Sequence, residues 1–181
     1  MDFSWRFDSW FTGLPESPTD EGHVCALVIR PPEGGSGARE RVESIEVSVE
    51  RGVQGDRWAT DEERTGQDQI SLVNIHVLES LAGKDPDRCA LSGDNLHVDL
   101  DLTEANLPVG TQLFIGTATL EVSTQAHIPC GKFLDRYGAT AVKKVLRANR
   151  KGRRGRGVIC MVAQSGTIRA GDKIKLQRPG A

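Results

Sequence analysis

Residues 111–122 read Thr-Gln-Leu-Phe-Ile-Gly-Thr-Ala-Thr-Leu-Glu-Val. Leu113 and Ile115 fall on one face of an extended chain, as do Leu120 and Val122, and Gly116 stands between the two pairs. Period-two patterning on either side of a glycine predicts two half-buried strands joined by a tight turn. The same period recurs outward from this hairpin. Upstream, Leu96, Val98 and Leu100 alternate, and Ile45, Val47 and Val49 alternate with Glu46, Ser48 and Glu50. Short apolar runs at 24–29, 70–73 and 158–163 read as further strands. A last strand at 173–176 follows turns at Ser165-Gly166 and Gly171-Asp172.

Helices are fewer. Asn74 is an expected N-cap, with Ile75, Leu78 and Leu81 on one apolar face and Gly83 as the stop. A second helix is expected over 140–149, with Ala141, Val145 and Ala148 inward and Lys143, Lys144 and Arg147 outward. About eight short strands and two or three helices, without βαβ alternation, predict a mixed α/β fold dominated by strands. The expected form is a closed or nearly closed β-barrel with peripheral helices. Residues 1–22 read as an N-terminal extension whose aromatics (Phe3, Trp5, Phe7, Trp10, Phe11) dock on the domain or on a partner, and Phe3, Trp5 and Phe7 carry a strand-like alternation. Residues 23–178 read as one domain.

The chain has 181 residues and a formal charge of −2, so any anion site has to come from local clustering of cations. The apolar runs are far shorter than the roughly 20 residues a membrane span needs. No basic region followed by an apolar run opens the sequence, and the expected compartment is the cytoplasm. Cysteines stand at 25, 89, 130 and 160 without a Cys-x-x-Cys pair, so free thiols are expected. Cys25 and Cys160 lie inside apolar runs and read as small buried hydrophobes. His23, His76 and His97 read as structural.

Cys130 differs from the other three. It lies in Gln125-Ala-His-Ile-Pro-Cys-Gly-Lys-Phe133, after a predicted strand, with Pro129 and Gly131 bending the backbone on either side. His127 and Lys132 bring cationic side chains within a few residues, and positive charge beside a thiol favours the thiolate, which is the nucleophilic and metal-binding form. The plainer reading is a quietly packed thiol beside a solvated lysine. A second candidate is the basic run through Lys151, Arg153, Arg154 and Arg156, whose glycines let backbone approach a ligand and whose arginines suit phosphate. Gly55-Asp56-Arg57 and Gly93-Asp94-Asn95-Leu96 are weaker signals, each also readable as a structural turn.

Taken in order, these segments resemble the MOSC family, named for the C-terminal region of molybdenum cofactor sulfurases. Gly55-Asp56-Arg57 resembles the family's GDR loop, and Gly93-Asp94-Asn95-Leu96 its G-[ED]-N-[LI] segment. Residues 107–122 resemble its paired strands after a glycine. Pro129-Cys130-Gly131-Lys132-Phe133 resembles the cysteine motif, and the stretch from Arg154 to Asp172 the closing strand pair. Trp58 stands where many members have His, and His127 where many have Arg. The resemblance implies a β-barrel-rich fold and a molybdenum–pterin cofactor, with Cys130 as catalytic residue and as metal ligand or persulfide carrier. Asp56, Arg57, Asn95, His127, Lys132, Arg154 and Arg156 are the implied cofactor-binding residues.

Three functions remain open at this point. The resemblance implies a reductase of N-hydroxylated or related small molecules, drawing electrons from an external reductase because no flavin, haem or iron–sulfur motif occurs here. The chain also reads as a sulfur or cofactor carrier built on Cys130. A nucleic-acid-binding barrel is the third and is disfavoured, because the net charge is negative and aromatics are scarce outside the N-terminus.

Overall fold

The computed structural model describes residues 9–35 and 37–180; the alternating Phe3, Trp5 and Phe7 lie outside them. The hairpin comes out as read. β7 (Gln112–Ile115) pairs antiparallel with β8 (Ala118–Val122), setting Leu113 opposite Leu120 and Ile115 opposite Ala118. Gly116 has φ +59°, and a Cβ there would lie 2.3 Å from the Thr167 carbonyl oxygen. A glycine at the first turn position is therefore required both by backbone conformation and by space.

The hairpin is part of a ring. β11 (Lys173–Gln177), β7, β8, β9 (Val158–Gln164), β5 (Ile70–Asn74), β6 (Leu96–Asp99) and β1 (Glu21–Ile29) are hydrogen-bonded in that order, and β1 closes on β11. The result is a seven-stranded mixed barrel, with β5–β6 its parallel pair. An extra strand, β2 (Glu40–Val42), lies beside β1. Closure removes free edges, which a half-apolar sheet would otherwise leave open to pairing with other chains. The lumen is filled by aliphatic side chains from every strand of the ring. Leu27, Leu72, Leu96, Leu113, Leu120 and Ile174 are among those with essentially no exposure.

A second, three-stranded sheet joins β10 (Gly166–Arg169), β3 (Ser44–Ser48) and β4 (Gly52–Val53). Sequence reading missed β10, taking its residues for the link between two barrel strands. Its single buried apolar side chain, Ile168, gives no visible period.

Among the described residues, three α-helices lie outside the ring, besides a short helical stretch at 9–12 and a 3-10 turn at Arg57–Thr60. α1 (Ile75–Ala82) is capped by Asn74, whose Oδ1 accepts from the His76 and Val77 amides. Its buried face is Val77, Leu78 and Ala82, rotated from the expected Ile75–Leu78–Leu81 line. α2 (Pro86–Ala90) was not expected, although Asp85 as N-cap with Pro86 at the first helical position is a readable start signal. α3 (Gly131–Arg150) starts well before the expected residue 140 and breaks at Gly138, where φ is +80°. Ala141, Val145 and Ala148 face inward as read.

Of the extension, the described Trp10 and Phe11 dock on this helical side. Trp10 Nε1 donates to Ser80 Oγ (3.0 Å), the Lys144 ammonium lies over the Trp10 ring, and the Arg153 guanidinium over Phe11. Among the described residues no helix is long and apolar enough to cross a membrane.

Candidate functional site

β8 ends at Val122, and the chain then runs without regular structure to Cys130, the N-cap position of α3. Cys130 is exposed, and its carbonyl oxygen accepts the Phe133 and Leu134 amides (3.0 and 3.2 Å). The thiol thus stands at the positive end of a helix, where unpaired N–H groups collect. The other three cysteines are free but less accessible. Cys89 and Cys160 are buried, while Cys25 is half-buried, more open than its apolar run suggested. A cleft of about 710 Å³ opens beside the same loop, lined by His127, Ile128, Leu146 and Val109 among others, but not by Cys130 itself.

Under the cysteine loop lies a buried polar nexus. Asp94 has no exposure, and its Oδ2 accepts from Arg156 Nη1 at 2.5 Å. Arg156 also donates to the Ser92 carbonyl, and its guanidinium lies 4.9 Å from the Phe133 ring centre. His127 Nε2 approaches Asp94 Oδ1 at 3.6 Å. Burial disfavours the Asp94 charge, but Arg156 outweighs it and holds the carboxyl down at about 2. Burial, reinforced by Arg156, pushes His127 down to about 3. The expected cation beside Cys130 is therefore a neutral imidazole turned inward onto Asp94. Burial also pushes His97 down to about 4.

A second nexus begins one residue further along. Asn95 is fully buried and donates through Nδ2 to Asp56 Oδ2 (3.1 Å) and to the Val28 carbonyl, while its Oδ1 accepts the Ser71 amide. Asp56 accepts the Arg30 amide, a two-pronged contact from the Arg30 guanidinium (2.7 and 2.9 Å) and the Trp58 amide. Trp58, at the family's His position, is buried and donates through Nε1 to Asp68.

Asp56 and Asn95 therefore face inward and fix Arg30. Around Arg30 gather Arg57, from the quoted motif, and two cations that no motif announced, Arg39 and Arg136. Arg39 is pushed down to about 10 by burial and then by the charges of Arg136, Arg57 and Arg30. Arg57 is lowered by burial and by Arg30. Arg39 feels the positive charges of Arg136, Arg57 and Arg30, and Asp56, paired with Arg30, offsets part of that potential; the balance favours an anion beside Arg39. Gly93 is part of this arrangement, since a Cβ there would lie 2.9 Å from Arg39 Nε.

The candidates from sequence thus divide. Arg57 belongs to the arginine group, and Lys132 is exposed one residue into α3 beyond Gly131. Arg156 is in the buried ion pair. Arg154 lies apart from the arginine group and lines the cleft beside His127, its Nη1 donating to the Leu107 and Leu102 carbonyls, in a left-handed backbone conformation (φ +45°). Sequence reading missed Arg30, Arg39, Asp94 and Arg136 as site residues. Asp94 sits inside a quoted motif and was legible in principle. Arg30 and Arg39 come from distant segments and carry no local signal, while Arg136 lies in α3 just beyond the quoted cysteine motif.

The MOSC domain profile matches residues 64–175. The chain belongs to the MOSC domain family. MOSC-type solved structures share its fold. It is similar to the YuaD protein of Bacillus subtilis (18% identity, TM-score 0.61, covering 86% of this chain and 95% of that one). It is also similar to YiiM of Escherichia coli (19% identity, TM-score 0.57, 88% and 71%) and YiiM of Geobacillus stearothermophilus (20%, 0.57, 88% and 77%). No curated protein matches the chain. The MOSC domain is associated in general with molybdenum cofactor binding. In this MOSC chain, no three His, Cys, Asp or Glu side chains among the described residues form a metal site. A metal here would rely on Cys130 and on ligands that an organic cofactor brings. One exposed thiol and a separate set of phosphate-compatible arginines are compatible with such a group.

Proposed function

We propose that this MOSC protein binds a molybdenum–pterin cofactor and reduces N-hydroxylated or related small molecules. The observation that carries the reading is one exposed thiol at the start of α3 together with the mutually opposed charges of Arg30, Arg39, Arg57 and Arg136, the last of them on that same helix. In this reading Cys130 supplies a soft thiolate ligand, and the arginines take the negatively charged phosphate. Lys132 and the first turn of α3 add positive potential beside the metal. Bound there, the cofactor supplies two-electron redox chemistry at an N–O bond. Reduction of R–NHOH to R–NH2 and water consumes two electrons and two protons, and an external electron-donor reductase is the proposed source of the electrons. Asp56 and Asn95 act behind Arg30 and hold its guanidinium in place. A free thiol in this role needs a reducing compartment, and the cytoplasm is the one proposed.

Protein purified from a cofactor-producing host should contain molybdenum near one equivalent. Cys130→Ser should lose most of it while remaining folded. Arg39→Ala should lose it in part, because three cations remain. Absence of molybdenum from the unaltered protein would remove the reading.

The exposure of Cys130 favours a second reading, in which the thiol carries sulfur as a persulfide and passes it to another protein. Persulfide labelling at Cys130 without bound metal would favour the carrier.

A further inference from the structure

The loop that bears Cys130 packs on both sides against the same buried ion pair, by a ring stacked on Arg156 and by an imidazole that approaches Asp94 without a hydrogen bond. Three residues before the cysteine, the His127 ring faces Asp94 Oδ1 at 3.6 Å. Three residues after it, the Phe133 ring packs under the Arg156 guanidinium, whose Nη1 is bound to Asp94 Oδ2. Asn149, near the end of α3, ties the same parts together again. Its Nδ2 donates to the His127 carbonyl (2.9 Å), and its Oδ1 accepts the Arg156 amide (3.1 Å). The thiol itself makes no capping hydrogen bond to the helix it begins. Pro129 and Gly131 fix the bend but not the tilt of the segment against the barrel, so the clamp at i−3 and i+3 sets where the sulfur sits.

Asp94 is placed to govern this position. It is fully buried and precedes Asn95, whose side chain holds the Asp56–Arg30 pair in the arginine group. Successive residues of one short loop thus reach toward the thiol and toward the cations. A fixed spacing between the two follows from a single backbone segment and needs no contact between them.

We infer that Asp94 is a positioning residue: through Arg156–Phe133 on one side and His127 on the other, it sets the place of Cys130 relative to the Arg30–Arg39–Arg57–Arg136 group. The consequence for cofactor binding rests on the function proposed above, but the positioning does not. Breaking one partner of a buried pair leaves the other charge uncompensated, so the loop should loosen before the barrel does.

Hydrogen exchange read by mass spectrometry on the full chain tests this. Asp94→Asn should speed exchange of the amides in residues 127–134 at least tenfold, with β7, β8 and β11 unchanged. Cys130 alkylation by iodoacetamide at fixed pH should change severalfold in the same variant. Arg156→Lys keeps the charge but loses the fork and the stacking on Phe133, and should lie between Asp94→Asn and the unaltered protein. If Asp94→Asn does not fold, His127→Ala removes one arm without unpairing the ions. It should loosen 127–134 in the same way, and His127→Gln, which keeps a donor toward Asp94, should restore protection. A uniform rise across the barrel in these variants, or no change at 127–134, overturns the inference. Molybdenum content separates the two proposals. Unaltered protein without molybdenum, together with a localised exchange change, removes the function and leaves the positioning. Equal molybdenum in the unaltered and Asp94→Asn proteins, without an exchange change, does the reverse.

Discussion

Asp56 and Asp94 are both buried aspartates paired to an arginine, and both follow a glycine in a short loop. Their surroundings differ. Asp56 receives the Arg30 amide and guanidinium, the Trp58 amide and the Asn95 amide group, so both oxygens are satisfied by the protein. Asp94 has a strong contact to Arg156 on Oδ2, while Oδ1 has no protein hydrogen-bond partner and faces His127 at 3.6 Å. His127 Nδ1, Arg156 Nε and His97 Nε2 are buried without partners in the same neighbourhood. Native proteins leave few such atoms, and a group of them marks a place where packing serves something besides stability. One carboxylate is a structural bracket. The other is a bracket with unused hydrogen-bonding capacity, beneath the one exposed thiol.

The largest test of that contrast is Asp56→Ala. It strands the Arg30 charge and the Trp58 amide, and should cost about 3–5 kcal/mol in a urea unfolding curve. A loss below about 1 kcal/mol would mean that Asp56 is not the bracket described.

The second test uses pH and bears on the Asp94 side. His127 and His97 have folded values near 3 and 4, below the ordinary 6.5. Between those folded values and 6.5 the unfolded chain binds more protons, so stability is full above pH 6.5 and falls as the pH drops. Each histidine contributes a slope of up to about 1.4 kcal/mol per pH unit. Asp94, held at about 2, adds a loss of the same sign only below about pH 4, where an unfolded aspartate protonates. His127→Gln should therefore remove roughly half of the slope between pH 4 and 6.5, leaving the His97 share there and the Asp94 loss below about pH 4. An unchanged slope in that variant would place the imidazole outside the buried nexus.

A smaller effect is expected at Gly93, which joins the two regions. Gly93→Ala puts a Cβ against the Arg39 guanidinium at φ +78°. The backbone conformation should cost about 1–2 kcal/mol. Arg39 must also swing aside, so phosphate affinity measured by calorimetry should fall more than stability does. Smallest of all, Trp10→Phe removes the hydrogen bond to Ser80 but keeps a ring for Lys144, and should cost about 1 kcal/mol or less in melting experiments.

How far the sequence could be read depended on the range of the interactions. The 111–122 hairpin and the inward line of α3 were legible because alternation and helical spacing are local patterns driven by burial of apolar area. α2 and Asp94 were legible but passed over: an Asp-Pro start signal and the middle residue of a quoted motif both lay in plain view. β10 was hidden because a strand with one buried apolar residue has no period. His127 was misread as a cation for a physical reason. Its charge depends on burial and on Arg156, 29 positions away, and neither can be seen from its sequence neighbours.

By itself, then, the amino-acid sequence determined the barrel class, the order of its motifs, the family and the residue that bears the exposed thiol. Each of these follows from patterns within about a dozen residues or from motif order along the chain. Only the tertiary structure decided that Arg30, Arg39, Arg57 and Arg136 form one cationic group, that Arg154 serves the loop at 102–107, and that Asp94 and Arg156 lie under the cysteine. Charges interact through space and not along the chain. Their partners are fixed only when the ring closes and distant loops are brought to the same side.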